Sequence, residues 1–145
     1  MGMGTRAHSM ALFVIMESPM QMLPDSPSDY YKERECTEFI SKIPVEWDDL
    51  RVLEAKIGEY TVLARKNGKD WYIGAINNWK AKEFDLQLDF LDEGEYEMEY
   101  IEDGINADTR AIDYLKKSKN ISKGDSENIQ LAPGGGWIAR ISKIN

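Results

Sequence analysis

The chain has 145 residues, 42% of them hydrophobic, with a net charge of -8 and a pI near 4.7. Those figures suit one ordinary domain, or a small domain with an appendage, and exclude disorder over most of the length. The acidic balance argues against nucleic acid as a partner, and the single cysteine, Cys36, excludes an intrachain disulfide.

Residues Thr5 to Glu17 read as a helix, with Ala7, Met10, Ala11, Val14 and Ile15 on one face. The rest of the segment is also apolar, so this helix belongs inside a larger packed structure. Its apolar run, Met10–Met16, is too short to span a membrane. Arg6 precedes that run, but Glu17 and Pro19 follow it with no small-residue cleavage site, which argues against a signal peptide. Ser18-Pro19 is expected to end the helix. Met20–Leu23 then reads as a short buried strand closed by Pro24-Asp25-Ser26-Pro27, and Asp29 to Ser41 as one more helix anchored by Phe39 and Ile40. Helix, loop, apolar strand and polar loop make an α/β unit. Six of the seven methionines fall in the first 22 residues, where gap-filling is their ordinary role.

After Pro44 the hydrophobic period becomes two. Strands are expected at Leu50–Ile57, Glu59–Lys66 and Trp71–Ile76, the last two joined by an Asn67-Gly68 hairpin turn with both turn positions at positive φ. Phe84, Leu86, Leu88 and Phe90 alternate with acidic and amide residues, as do Tyr96, Met98 and Tyr100, and Leu91–Gly94 reads as a hairpin connection between them. Further strands are expected at Arg110–Tyr114, Asn128–Leu131 and Trp137–Ser142, with Pro133-Gly134-Gly135-Gly136 as a loop. About eight short strands with frequent turn signals predict a mainly β fold, an antiparallel sandwich over residues 45–145. Residues 1–44 read as the last piece of an α/β domain, with the seam near Pro44.

Chemistry is sparse. Nine carboxylates lie between Asp85 and Asp103 without a lysine or arginine among them, but their period-two spacing points them at water rather than at one cation. Asp103–Asp108 lacks calcium-loop spacing and reads as a turn. Trp71 and Trp137 are expected in the core. Trp79, after Asn77-Asn78, is the candidate for an exposed contact with a neighbouring domain or subunit, or for stacking on a sugar. The sequence offers no nucleophile elbow, phosphate loop, zinc spacing or triad, so no catalytic residue and no metal ligand is assigned. Asp25 follows a short apolar strand, and in α/β barrels such positions face substrate; in a complete barrel it is the substrate-binding candidate.

Thr5-Arg6-Ala7-His8, Glu17–Leu23 and Asp25-Ser26-Pro27 resemble the end of the catalytic barrel of glycoside hydrolase family 97. Ile43-Pro44 with Trp47-Asp48, Lys56–Tyr60, Trp71–Ala75 and Asp103–Asp108 resemble its carboxy-terminal domain, in the same order. The resemblance covers essentially the whole chain. It implies a parent with an amino-terminal sandwich, a (β/α)8 barrel and a carboxy-terminal sandwich. Such parents are calcium-dependent α-glucosidases or α-galactosidases of Bacteroidetes, typically periplasmic or exported. The family's catalytic carboxylates and calcium ligands precede the matched stretch, so this chain is expected to be inactive alone and to carry no cofactor. Glycoside hydrolysis needs two placed carboxylates. The implied role is a non-catalytic module that braces the barrel and supports homo-oligomer formation; an alternative is a carbohydrate-binding module using Trp79. Its expected partners are the rest of the parent glycosidase and further copies of itself.

Overall fold

The computed structural model describes residues 3–18 and 20–144. Three helices, α1 (Arg6–Ile15), α2 (Pro27–Lys32) and α3 (Arg34–Ser41), precede eight strands. The strands are β1 (Asp49–Lys56), β2 (Tyr60–Asn67), β3 (Asp70–Asn77), β4 (Lys82–Gln87), β5 (Glu95–Asp103), β6 (Tyr114–Ser122), β7 (Ser126–Leu131) and β8 (Gly136–Lys143). A six-stranded antiparallel sheet runs β1-β2-β3-β8-β5-β6, and β4 pairs with β7 in a second, two-stranded sheet. This is the antiparallel sandwich that the alternation after Pro44 predicts.

The core between the sheets follows from the period of two. Val62 and Ala64 of β2, Trp71, Ile73 and Ala75 of β3, Tyr96 and Met98 of β5, and Trp137, Ala139 and Ile141 of β8 are buried there. Burial of each large side chain is worth about 1.5–3 kcal/mol. Trp71 and Trp137, expected in the core, are both in it; Trp71 meets Phe90 edge-on at 4.9 Å and Trp137 lies 5.6 Å from Tyr100.

A second core lies on the opposite face of the large sheet. Ala7, Met10, Ala11 and Val14 of α1 pack there with Phe39 and Cys36 of α3 against Tyr72, Ile101 and Ile138. The apolar helix therefore folds back on the sandwich. Its face is the one that the helical spacing selects, except that Ile15 is only half-buried.

Several expected elements fall differently. Helix α1 ends at Ile15, two residues before Glu17, because Met16 turns extended and the Gln21 amide donates to the Phe13 carbonyl at 2.9 Å; Pro19, the expected breaker, lies outside the described residues. Met20–Leu23 is neither a strand nor buried, with Met20 and Met22 79% and 84% exposed. Among the described residues no strand pairs with it to complete a ladder. The helix expected over Asp29–Ser41 is broken at Glu33, whose φ of -105° and ψ of 54° are not helical.

The β2–β3 turn has only Gly68 at positive φ. Asn67 remains in the ladder opposite Asp70, and its amide donates to the Glu46 carbonyl at 3.0 Å. Leu91–Gly94 is not a hairpin. With β4 paired to β7 and β5 to β6 and β8, this segment crosses between sheets, drawn inward by the fully buried Leu88 and Leu91. No strand occupies 110–113. The strand in this region, β6, begins at Tyr114 and runs through the polar Lys116–Asn120, where hydrophobic alternation is invisible.

Candidate functional site

Helix α1 is bound to the sheet at both ends and along its length. At its start, the Thr5 hydroxyl accepts the His8 amide at 3.1 Å, the N-cap arrangement that removes an orphan donor. The Thr5 amide donates to the Gly134 carbonyl at 2.9 Å, and His8 Nδ1 donates to the Gly135 carbonyl at 3.0 Å. The glycine loop is in turn fixed by two side chains. Asp103 Oδ2 accepts the amides of Ala132 at 2.9 Å and Gly136 at 3.0 Å. Asn77, itself buried, accepts the Gly135 amide at 2.7 Å and donates to the Lys80 and Ala132 carbonyls at 2.6 and 3.0 Å. Burial pushes the Asp103 carboxyl above its usual range, against the opposing pull of the Thr5 side chain, the two amides and His8.

The helix backbone comes unusually near the sheet at two glycines. A Cβ on Gly136 would sit 2.3 Å from the His8 backbone, and one on Gly74 would sit 2.9 Å from the Ala11 carbonyl. Glycine inside a strand often marks such an approach.

At the other end, Arg65 is 4% exposed. Its Nη2 donates to the Ile15 carbonyl at 3.2 Å, it pairs with Glu17 at 3.7 Å, and its guanidinium lies 5.6 Å from the Trp47 ring. A cation at a helix C-terminus opposes the negative end of the dipole. Trp47 meets Tyr72 edge-on at 5.4 Å, and the Tyr72 hydroxyl donates to the Lys42 carbonyl at 3.1 Å, tying the end of α3 to the sheet. Also at the start of α1, Arg6 pairs with Glu33 at 2.8 Å and lies over Tyr114, whose hydroxyl donates to Glu35 at 2.8 Å. Burial pushes up both the Cys36 thiol and the Tyr114 phenol beside it.

Beyond this seam, residues 20–31 present Met20, Met22, Leu23 and Tyr31 to solvent. A 340 Å³ cavity opens behind them between α1 and the α2–α3 pair, lined by Arg6, Phe13, Asp25, Tyr30 and Cys36 among others. Asp25 lies on its rim, and its amide donates to the Tyr30 hydroxyl at 3.3 Å. Trp79 lies elsewhere, at the end of the sandwich, 66% exposed and backed by Gly134. The structure does not bring Asp25 and Trp79 together.

The acidic stretch is dispersed. Glu99 pairs with Lys42 at 3.2 Å and Lys116 at 2.8 Å, and Glu102 with Lys117 at 2.5 Å. Among the described residues no group of three His, Cys, Asp or Glu side chains could hold a metal ion together. No helix there is long and apolar enough to cross a membrane. The binding residues that sequence reasoning missed are Arg65, Asn77 and Asp103, since buried polar groups carry no periodic signal; Gly74 and Gly136, also passed over, are the residues whose missing Cβ atoms could have shown the approach of α1.

The site is thus an antiparallel sandwich with its own core, a helix fixed to one face and an apolar segment left exposed beside that helix. A family model described as glycosyl-hydrolase 97 C-terminal, oligomerisation matches residues 46–142. The chain belongs to that family. It is 43% identical over 141 residues to a retaining α-galactosidase of Bacteroides thetaiotaomicron, a match covering 97% of this chain and 21% of the relative. A probable retaining α-galactosidase of Streptomyces bingchenggensis is 27% identical, over 92% of this chain and 20% of its own length. Among solved structures, a family 97 enzyme from a Pseudoalteromonas strain, in complex with acarbose, superposes with a TM-score of 0.95 at 31% identity, covering 98% of this chain and 23% of that one. The chain thus spans about a fifth of the length of the relatives it matches.

Proposed function

We propose that this chain serves as the non-catalytic C-terminal module of a larger glycosidase acting on terminal α-linked galactose or glucose, where it braces the catalytic barrel and supports homo-oligomer formation. The observation that carries this is the fixing of α1 to the sheet beside the uncovered apolar segment Met20–Tyr31. A patch of that kind calls for a protein partner. In this reading residues 1–44 are the end of the barrel, Asp25 faces its substrate side, and calcium binds upstream. An exported location accompanies the reading as an expectation from the family resemblance.

The test is complementation. The B. thetaiotaomicron relative, truncated by its C-terminal fifth, should lose activity on a nitrophenyl α-galactoside and recover it when this chain is added. Met22→Glu with Tyr31→Glu should weaken that recovery by about tenfold or more. A truncated relative that keeps full activity and does not co-elute with the chain would overturn the bracing role.

A second reading has one observation in its favour. Trp79 exposes its ring, and a Cβ on Gly134 would sit 2.7 Å from that ring, so glycine leaves the indole room to lie flat on the loop. An exposed indole can stack on a sugar face. Titration with α-galactosides and maltooligosaccharides should then quench tryptophan fluorescence in the native chain and not in Trp79→Ala. Unchanged spectra at millimolar sugar would sink it.

A further inference from the structure

The six-stranded sheet has two open edges, β1 and β6. They differ in charge. Strand β6 carries Lys116, Lys117 and Lys119 and no acid, and these lysines already pair with Glu99, Glu102 and Glu127, so it offers a second β6 no opposite charge to meet. Strand β1 carries one acid and one base on each side of its centre: Asp49 and Arg51, then Glu54 and Lys56.

The register of β1 makes those charges self-complementary. Asp49, Leu50, Arg51 and Val52 oppose Lys66, Arg65, Ala64 and Leu63, then the pairing shifts, and Glu54, Ala55 and Lys56 oppose Val62, Thr61 and Tyr60. Leu53 is the extra residue of a bulge. Ala64 and Val62 face the inter-sheet core, so Asp49, Arg51, Glu54 and Lys56 all share that side of the sheet. Leu50, Val52 and Ala55 share the other. In an unbulged strand residues 51 and 54 would point to opposite faces.

A bulge usually turns an edge away from partners. Here it makes the strand symmetric about its own midpoint. A second β1 laid antiparallel, with the two-fold axis through the bulge, sets Arg51 against Glu54 and Asp49 against Lys56 on one face. It sets Leu50 against Ala55 on the other. Leu50 and Val52, 45% and 62% exposed, are covered in the process. The present partners of these charges are exposed and local, Arg51 to Asp49 at 3.0 Å and Lys56 to Glu59 at 2.6 Å. Glu59 keeps Lys82 at 3.0 Å when Lys56 turns away. An isologous contact of this kind closes as a dimer.

We infer that the oligomer contact of this module is β1 paired antiparallel with β1 of a second copy, centred on the Val52–Leu53 bulge. The inference rests on the oligomerisation reading above. Charge reversal tests it on the full chain by light scattering across a concentration series. Arg51→Glu and Glu54→Arg should each weaken dimerisation by about tenfold or more, since each places like charges opposite one another twice per dimer. The double variant should return to within about threefold of the native protein. Both positions are solvent-exposed, and circular dichroism checks that each variant is folded. As a second measurement, Leu50→Cys with Ala55→Cys should give a disulfide-linked dimer on mild oxidation. A native dimer indifferent to both single reversals, or a double variant that stays weak, overturns this interface and leaves oligomerisation standing. A native chain that is monomeric at every concentration overturns both.

Discussion

Gly136→Val is expected to detach α1 from the sandwich, with a loss of at least about 3 kcal/mol. A side chain here meets backbone, not a yielding side chain: the Cβ alone would lie 2.3 Å from both the Cα and the amide nitrogen of His8. Ordinary overpacking costs about 1–3 kcal/mol because neighbours shift. The His8 backbone cannot shift alone, since Thr5 and His8 are hydrogen-bonded to Gly134 and Gly135. Helix α1 leaves instead, exposing Met10 and Val14, each worth about 1.5–3 kcal/mol when buried. The inter-sheet core does not include α1, so the sandwich should persist. Amide exchange checks this: protection of residues 7–15 should collapse while that of β2, β3 and β8 remains. Native-like protection of α1 in the valine variant would show that the close approach is not needed.

What the sequence revealed, and what it concealed, divides along the same line. Period-two alternation located β2, β3 and β8 almost to the residue, because each has one face in the inter-sheet core. The apolar face of α1 was equally plain. Strand β6 was not, since its Lys116–Asn120 run lies at an open edge and its lysines serve glutamates rather than a core. The crossover at Leu91 was read as a hairpin because a short acidic, glycine-bearing segment between alternating strands looks the same in both cases; only the pairing of β4 with β7 separates them. Met20–Leu23 shows the opposite failure. Its composition is that of a buried strand, yet Met20, Met22 and Leu23 lie exposed.

Arg65, Asn77 and Asp103 escaped for a different reason. A buried charged or amide residue is recognised by what surrounds it, and its neighbours come from distant positions: Ile15 for Arg65, Gly135 for Asn77, Ala132 and Gly136 for Asp103. In the sequence Arg65 falls in an expected strand, Asn77 just after one and Asp103 at the start of a turn, and none of them shows its partner. The run Pro133–Gly136 likewise reads only as a loop. It is instead held from below by Asp103 and Asn77 and from above by Thr5 and His8, so the segment with the weakest intrinsic order becomes the joint between helix and sheet.

Asp103 should show how much that joint is worth. One oxygen, Oδ2, accepts both the Ala132 and Gly136 amides. Asp103→Ala leaves two largely buried donors without an acceptor, at about 1–3 kcal/mol each, so a loss of about 2–5 kcal/mol is expected at neutral pH. Asp103→Asn keeps a carbonyl oxygen able to accept both amides and removes a half-buried charge. Burial raises the carboxyl above the usual aspartate value of 3.8 in the folded protein, so the folded state holds the proton more tightly than the unfolded chain. The stabilisation from protonation is therefore fully present below that value and is lost as pH rises through the folded pKa. The native protein should lose stability relative to the asparagine variant over that interval, and the difference should then level off toward pH 7. Urea melts of the three proteins from pH 3.5 to pH 7 test both parts. An asparagine variant as damaged as the alanine variant at pH 7 would mean that the charge itself holds the joint. A native–asparagine difference that is flat across the series would contradict the raised carboxyl.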